Sequence, residues 1–200
     1  MKHRGLKFLF LLLSLALLVG VLSGMSAYAE EYPIWIRDKQ VTDDYKSGDG
    51  WSYNNNTLTL DNFNYTANKA EDVHSEDYDN GCIFIGSSSD SITIELKGEN
   101  RLTNNINNTS SGIFSRSALI FSGSGSLIVS SKGDGICSRS TITVTNGNIT
   151  ADGYYTGLIS DGVIEIGGGT VTGNGNSAGI ISLNENIIIT ERHPVKRTMK

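Results

Sequence analysis

The sequence predicts an all-β protein, a right-handed parallel β-helix with three short strands in each coil of about 22 residues and a β cap at its N-terminal end. The first observation is a phrase that recurs four times: Gly-Ile-Phe-Ser at 112–115, Gly-Ile-Cys-Ser at 135–138, Gly-Leu-Ile-Ser at 157–160 and Gly-Ile-Ile-Ser at 179–182. The leading glycines are 23, 22 and 22 residues apart. A fixed interval of this size is typical of stacked-repeat folds, so each phrase is predicted to form the first strand of one coil.

The second observation is an alternation of apolar residues that keeps the same phase in every repeat. The second strand of each coil is predicted from apolar pairs that follow the glycine by seven and nine residues: Leu119 with Phe121, Ile142 with Val144, and Ile164 with Ile166. The third strand is predicted from a later set of pairs: Leu127 with Val129, Ile149 with Ala151, and Val171 with Gly173. A two-residue period is that of a strand that buries one face.

The third observation is the placement of glycine and asparagine between the second and third strands, at 123–125, 146–147 and 167–169. These residues reach the positive φ values that sharp corners need. A β-sandwich or meander is the alternative fold, because it also has short strands and glycine turns. Stacked coils require the same phase at every strand and a sandwich does not, so the shared phase favours the β-helix.

The β-helix is predicted to span residues 81–190 and to begin with a weaker coil. The glycine of that coil, Gly81, lies 31 residues before Gly112, which indicates loop insertions near 87–91 and 104–110. Residues 30–80 break the repeat and are predicted to form the cap, because the open end of a solenoid core needs an atypical unit. We expect Trp35 and Trp51 to pack within this cap, with sugar stacking as the alternative.

The two ends of the chain are not expected to belong to the fold. Residues 1–29 have a basic start, an apolar stretch and the small-residue site Ala27-Tyr28-Ala29, as in a cleaved export signal. An uncleaved membrane anchor is the alternative, although the apolar run is short for a bilayer span. Residues 191–200 are polar and basic. We expect either that this tail is disordered or that the repeat is truncated here, and we favour truncation. The prediction is a secreted or cell-surface bacterial protein.

The charge of the chain excludes some classes of partner. The net charge is −5, and the acidic residues concentrate between 30 and 99. Nucleic acids and anionic membranes require clustered Lys and Arg, so we expect neither a nucleic-acid partner nor a membrane partner after signal cleavage.

Two cysteines in an exported chain suggest a disulfide, but the repeat argues against it. Cys82 and Cys137 fall two coils apart, which places their strands about 9–10 Å from each other. A disulfide spans Cα separations of up to about 7 Å. We therefore predict two free, buried thiols.

The repeat resembles the carbohydrate-binding parallel β-helix domains of clostridial, and more broadly Firmicutes, cell-surface proteins. The resemblance rests on the glycine phrase, most closely Asp134-Gly135-Ile136-Cys137-Ser138, and on the segment 32–66 that precedes the repeats. It implies a Gram-positive surface protein that binds acidic plant polysaccharide and calcium without cleaving it. Only Asp134 supplies an acid before the glycine; the other copies have Ser111, Thr156 and Ala178 at that position.

One column of the stack contains candidate ligand-binding residues. The fourth residue after each repeat glycine is Arg116, Arg139, Asp161 or Leu183, and successive members are expected about 4.8 Å apart on one face. Arg139 and Asp161 are predicted to pair across coils, which would leave Arg116 for the carboxylates of uronic acid sugars. The alternative is an ordinary surface ion pair, worth less than about 1 kcal/mol.

Clustered acidic residues are the candidate metal ligands. Asp72, Asp77 and Asp79 lie just before the first coil, and Asp134 precedes a later one. Calcium takes six to eight oxygen ligands, so these carboxylates are predicted Ca²⁺ ligands. The order of an EF-hand is absent, and a solvated acidic loop is the alternative.

Two other functions remain open from the sequence. A β-helix polysaccharide lyase or glycoside hydrolase would need paired carboxylates about 5–10 Å apart, and Asp134 with Asp161 is the pair that neighbouring coils offer. A structural stalk or adhesin segment would have a similar sequence. The serine column at 115, 138, 160 and 182 has no general base in register, since His74 is the one histidine between signal and tail, and it is predicted to be structural.

Overall fold

A computed structural model of the protein describes residues 31–76, 79–106 and 109–190. Within these ranges the regular structure is almost entirely β-strand, apart from a 3-10 turn at Ala70–Asp72. No helix in the same ranges is long and apolar enough to cross a bilayer. The predicted export signal at 1–29 and tail at 191–200 lie outside the described residues.

The strands are short and are numbered in chain order. Seven precede the first coil that the sequence analysis identified: β1 (Glu31–Ile36), β2 (Lys39–Thr42), β3 (Ser47–Gly48), β4 (Trp51–Asn54), β5 (Thr57–Asp61), β6 (Asn64–Ala67) and β7 (His74–Glu76). The next seven are β8 (Asp79–Ile85), β9 (Ile92–Lys97), β10 (Glu99–Asn104), β11 (Ser111–Ser115), β12 (Leu119–Gly123), β13 (Ser126–Ser131) and β14 (Ile136–Ser138). The last seven are β15 (Ile142–Val144), β16 (Asn148–Gly153), β17 (Thr156–Ser160), β18 (Ile164–Ile166), β19 (Thr170–Asn174), β20 (Ala178–Ser182) and β21 (Ile187–Ile189).

Three parallel ladders run through the molecule, and the chain visits them in turn. Sheet A stacks β8, β11, β14, β17 and β20; sheet B stacks β5, β9, β12, β15, β18 and β21; sheet C stacks β6, β10, β13, β16 and β19. Equivalent residues of successive coils pair directly, as Ile113 does with Ile83 and Ile136. The predicted parallel β-helix with three strands per coil is confirmed.

The parallel stack begins earlier than residue 81, where the sequence analysis placed its start. Strand β5 pairs in parallel with β9 from Thr57 onwards, and β6 pairs in parallel with β10. This first coil lacks the glycine phrase. After β6 the chain forms the 3-10 turn and β7 before it enters sheet A at β8. The residues that cap the stack add antiparallel strands to its first edges: β1 and β7 pair with β8, and β4 pairs with β5.

Aliphatic side chains fill the interior in continuous rows. One row of sheet B contains Ile92, Leu119, Ile142 and Ile164, each no more than 1% exposed. Burying such a side chain contributes about 1.5–3 kcal/mol. Trp51 is also buried, as predicted for a cap residue.

The glycine that opens each repeat lies at the tight corner between sheets C and A. A Cβ atom at Gly157 would lie 2.5 Å from the amide nitrogen of Asn174 and 2.6 Å from the carbonyl oxygen of Gly179. Because these are main-chain atoms of the stack, they cannot move aside. The glycine phrase therefore recurs because the corner excludes every side chain.

The serine that ends each phrase forms the corner between sheets A and B. Ser138 is fully buried; its hydroxyl donates to the carbonyl of Ser117 (3.2 Å) and accepts from the N–H of Ser140 (3.1 Å). Ser115 and Ser160 likewise accept from the N–H two residues later. The prediction that the serine column is structural is confirmed.

The two cysteines are free and buried, as predicted. Cys82 packs in the interior core, whereas Cys137 packs with Phe84 and Phe114 in a separate cluster. They are therefore separated by packing environment as well as by coil, which strengthens the argument against a disulfide. Burial raises the pKa of each thiol to about 12.

Candidate functional site

The outward face of sheet A has an apolar row that crosses six successive strands, from β1 through β8, β11, β14 and β17 to β20. The residues are paired rung by rung, in the order Trp35, Phe84, Phe114, Cys137, Ile159 and Ile181. Phe84 and Phe114 stack with ring centroids 5.6 Å apart, and both are at least 97% buried. The row is thus buried at Phe84, Phe114 and Cys137 and half-buried at its two ends, at Trp35 and at Ile159 and Ile181.

A charged column lies beside this row, two residues further along each strand. It contains the three predicted ligand-binding residues Arg116, Arg139 and Asp161, and the structure places them on successive coils as expected. The guanidinium carbons of Arg116 and Arg139 each lie 5.6 Å from the ring centroid of the phenylalanine one coil earlier. The apolar row therefore supports the stems of the charged residues.

The predicted pairing of Arg139 with Asp161 is present, with Nη1 and Oδ2 separated by 3.8 Å. The expectation that Arg116 is left for a ligand is wrong. Its Nε lies 3.1 Å from Oδ2 of Asp79, and its Nη1 lies 2.8 Å from Oε2 of Glu76. These contacts do not follow from the repeat spacing, because Glu76 and Asp79 precede the repeat that defines the column.

Asp79 joins the two arginines. Its Oδ1 accepts a hydrogen bond of 3.2 Å from Nη2 of Arg139, while its other oxygen accepts from Arg116. The Asp79 side chain is 15% exposed and that of Arg116 is 22% exposed, against 51% for Arg139. Arg116 is therefore a half-buried support, and Arg139 is the more exposed arginine of the column.

The carboxylates predicted as calcium ligands have other partners. Asp79 contacts the arginines, Asp72 accepts hydrogen bonds from the N–H groups of Asn68 and Lys69, and Asp77 lies outside the described residues. The hydrogen bond from the Asn68 amide lowers the pKa of Asp72. Among the residues that the structure describes, no group of three or more His, Cys, Asp or Glu side chains is placed to hold a metal ion.

Asp134, the fourth predicted metal ligand, has a structural role at its coil. Its Oδ1 accepts a hydrogen bond of 3.0 Å from the N–H of Thr156 on the next coil. Burial raises the pKa of this carboxyl above its ordinary value. The main-chain contact explains why Asp134 precedes a repeat glycine without a cation being required.

The carboxylate pair that the sequence offered for hydrolysis is not brought together. Asp134 precedes β14 and bonds to Thr156 at the start of β17, whereas Asp161 follows the end of that strand. Five residues of extended chain place the two acids about 16 Å apart, beyond the separation that glycoside hydrolysis uses.

The structure also shows features that the sequence analysis missed. A hollow of about 380 Å³ lies over the first coils of sheet C and is lined mainly by polar side chains: Asn62, Asn64, Glu99, Asn100, Arg101, Ser126 and Ile128. The apolar row on sheet A was detectable in principle. Positions 113 and 114, and their equivalents, are both apolar, which indicates burial on both faces of a strand.

Comparison with known proteins gives a family match. A protein-family model described as "carbohydrate-binding domain-containing protein" matches residues 50–189, well over half of the chain. No curated protein and no solved structure gives a significant match.

Proposed function

Because the chain belongs to the family of carbohydrate-binding domain-containing proteins, we propose that it is an exported, non-catalytic module that binds an extracellular polysaccharide containing uronic acids. The carbohydrate-binding role comes from the family. The export, the acidic sugar and the absence of catalysis are the parts that we add.

The observation that carries the proposal is the half-exposed Arg139 in its column. Its Nη2 donates to Asp79 at 3.2 Å, whereas its Nη1 lies 3.8 Å from Asp161, longer than a hydrogen bond. Asp79, which also binds Arg116, holds the Arg139 guanidinium in place from the less exposed side. A sugar carboxylate meets a pre-oriented planar donor there, which suits charge-assisted hydrogen bonding.

Two features of the fold support a polymer as the ligand. The stacked coils offer flat faces, as solenoids do when they bind extended partners, and Arg139 sits on such a face beside the half-buried Ile159. The column and its described ion-pair partners together have two arginines and three carboxylates, Glu76, Asp79 and Asp161. Binding should therefore depend on close contact at Arg139 rather than on a broad positive field.

Affinity electrophoresis in gels containing polygalacturonate tests the proposal. We expect the polysaccharide to retard the wild-type protein. Arg139→Gln should raise the dissociation constant obtained from that retardation about tenfold. Lys97→Gln is the matched control, because it removes a positive charge from an exposed side chain on sheet B. Equal retardation by a neutral glucan would contradict the uronic acid specificity. No retardation by any polysaccharide would contradict the proposed function.

The non-catalytic part needs its own test, because Asp79 and Asp161 both contact Arg139. Incubation of the protein with polygalacturonate should release neither unsaturated products nor new reducing ends. The appearance of either, and its loss in Asp161→Asn, would identify an enzyme instead of a binding module.

Calcium binding is a separate prediction and does not depend on the sugar contact at Arg139. The three described carboxylates that were predicted to bind it are dispersed and engaged with protein groups. A rise in melting temperature on adding CaCl₂, absent with MgCl₂, would support a calcium site; unchanged melting would argue against it.

A further inference from the structure

Two adjacent tyrosines are exposed at the corner between sheets C and A. Tyr154 is 56% exposed and Tyr155 is 40% exposed, and both lie in the turn between β16 and β17. Their ring centroids are 5.1 Å apart and their planes are inclined at 79°. Elsewhere in the described residues, large exposed apolar side chains occur only at Leu183 and in the last strand, β21.

The turn that carries the tyrosines is held by the stack on both sides. The N–H groups of Tyr154 and Tyr155 donate to the carbonyls of Ser131 and Gly133 on the preceding coil. Their carbonyls accept from the N–H groups of Asn176 and Ser177 on the following coil. The exposed rings therefore stand on a fixed backbone, which lowers the entropy lost when a ligand packs against them.

Hydrogen-bonding groups border the same corner. Asp152, two residues before Tyr154, accepts a hydrogen bond of 2.7 Å at Oδ1 from the side-chain amide of Asn174. That contact orients the carboxylate and engages one of its oxygens. Lys132 occupies the turn of the preceding coil, one rung from Tyr154.

We propose that Tyr154 and Tyr155 form a stacking subsite for a pyranose ring of the polysaccharide, and that Oδ2 of Asp152 accepts a hydrogen bond from a hydroxyl of that sugar. A pyranose presents C–H groups on one face and hydroxyls at its edge. An aromatic face attracts the positively polarised C–H groups, and a carboxylate accepts from hydroxyls. The tyrosine rings would thus contact the C–H face of the sugar, and Asp152 would bind a hydroxyl at its edge.

This inference rests on the proposed carbohydrate function but uses different residues. Tyr155 begins the turn before β17, whereas Asp161 follows the end of that strand, so six residues of extended chain separate them by about 20 Å. The tyrosine subsite and Arg139 therefore lie at opposite ends of the strands of sheet A. Substitutions at one site leave the contacts of the other intact.

The test compares two double variants with the wild type on gels containing polygalacturonate, xylan or mannan. Tyr154→Ala with Tyr155→Ala should weaken retardation about tenfold on the polysaccharide that the wild type binds best. Tyr154→Phe with Tyr155→Phe should stay within about threefold, because stacking uses the ring rather than the hydroxyl. Ile188→Ala is the control, since it removes another exposed apolar side chain, on sheet B and away from both proposed contacts.

A second readout keeps the inference testable if the alanine variant is unstable. Binding should perturb the ultraviolet absorbance of the wild-type tyrosines, and that tyrosine perturbation should be lost in the folded Tyr154→Phe, Tyr155→Phe variant although this variant still binds. If the alanine variant is folded and binds as the wild type does, while Arg139→Gln binds weakly, the tyrosine subsite is wrong and the proposed function stands. If the wild type binds no polysaccharide, both fail.

Discussion

Arg139 and Asp79 are 60 residues apart in the chain, yet Nη2 of the arginine lies 3.2 Å from Oδ1 of the aspartate. Strand β11 lies between their strands in sheet A, so the contact spans two rungs. Asp79 also accepts from Arg116 on the intermediate coil. The charged column thus exists because three coils stack in register, with Asp79 as its shared acceptor.

Asp79 should therefore matter more for stability than Asp161, although both contact Arg139. Asp79→Ala removes the acceptor of two arginines and is expected to lower the free energy of unfolding by about 1–3 kcal/mol. Asp161→Ala removes one long, half-exposed contact and should cost less than about 1 kcal/mol. Urea unfolding measures both, and equal losses would contradict the assigned roles.

The corner glycines should tolerate no methyl group. Gly157→Ala places a Cβ against main-chain atoms of three neighbouring segments and should cost about 3 kcal/mol or more, or prevent folding. Gly167→Ala is the matched control, because the nearest atom to its Cβ is the carbonyl oxygen of Val144 at 3.8 Å. Similar melting temperatures for the two variants would show that the close approach at the repeat glycine is incorrect.

The periodic part of the fold was predictable from the sequence because each coil repeats the same steric requirements. The glycine phrase marks the corner where a Cβ is excluded, and pairs such as Leu119 and Phe121 mark the buried face of a strand. The start of the stack was not predictable, because the coil that begins at Thr57 has β7 and a 3-10 turn in place of the phrase.

The candidate site was only half predictable, for a related reason. The positions of Arg116, Arg139 and Asp161 follow from the repeat, but the partners of the arginines come from residues outside it. Asp79 lies at the start of β8 and reaches two later coils, so its role depends on side-chain reach rather than on spacing. The Tyr154–Tyr155 pair occurs in a single turn and leaves no periodic signal.

The buried serines should contribute more than their small size suggests. Ser138→Ala deprives the N–H of Ser140 of its acceptor and should destabilise the protein by about 1–3 kcal/mol. Ser124→Ala, in an exposed turn, should change stability by less than about 0.5 kcal/mol. Thermal unfolding of the pair provides the measurement; a neutral Ser138→Ala would rule out a structural role for the serine column.

Asp134 gives a prediction with a defined pH dependence. Because burial raises its folded-state pKa, the carboxyl favours folding most when protonated, and that contribution falls as pH rises from its ordinary pKa through the raised one. Asp134→Asn keeps an acceptor for Thr156 without the charge, so it should melt no lower than the wild type at pH 7.

The comparison at acid pH completes this test. At pH near 3, below the ordinary carboxyl pKa of about 3.9, the melting temperatures of Asp134→Asn and wild type should converge. Asp134→Ala should melt lower at both pH values, because it leaves the Thr156 N–H without its acceptor. A wild type that gains on the Asn variant as pH rises would show that the direction assigned to the pKa is wrong.

Calorimetric titration of the wild-type protein with galacturonate oligomers of defined length, followed by sizing of the recovered oligomers, tests the central claim most directly. The expected result is saturable binding that strengthens with oligomer length and leaves every oligomer intact. Absence of saturable heat at all lengths would contradict carbohydrate binding through this face, and shortened oligomers would contradict a non-catalytic module.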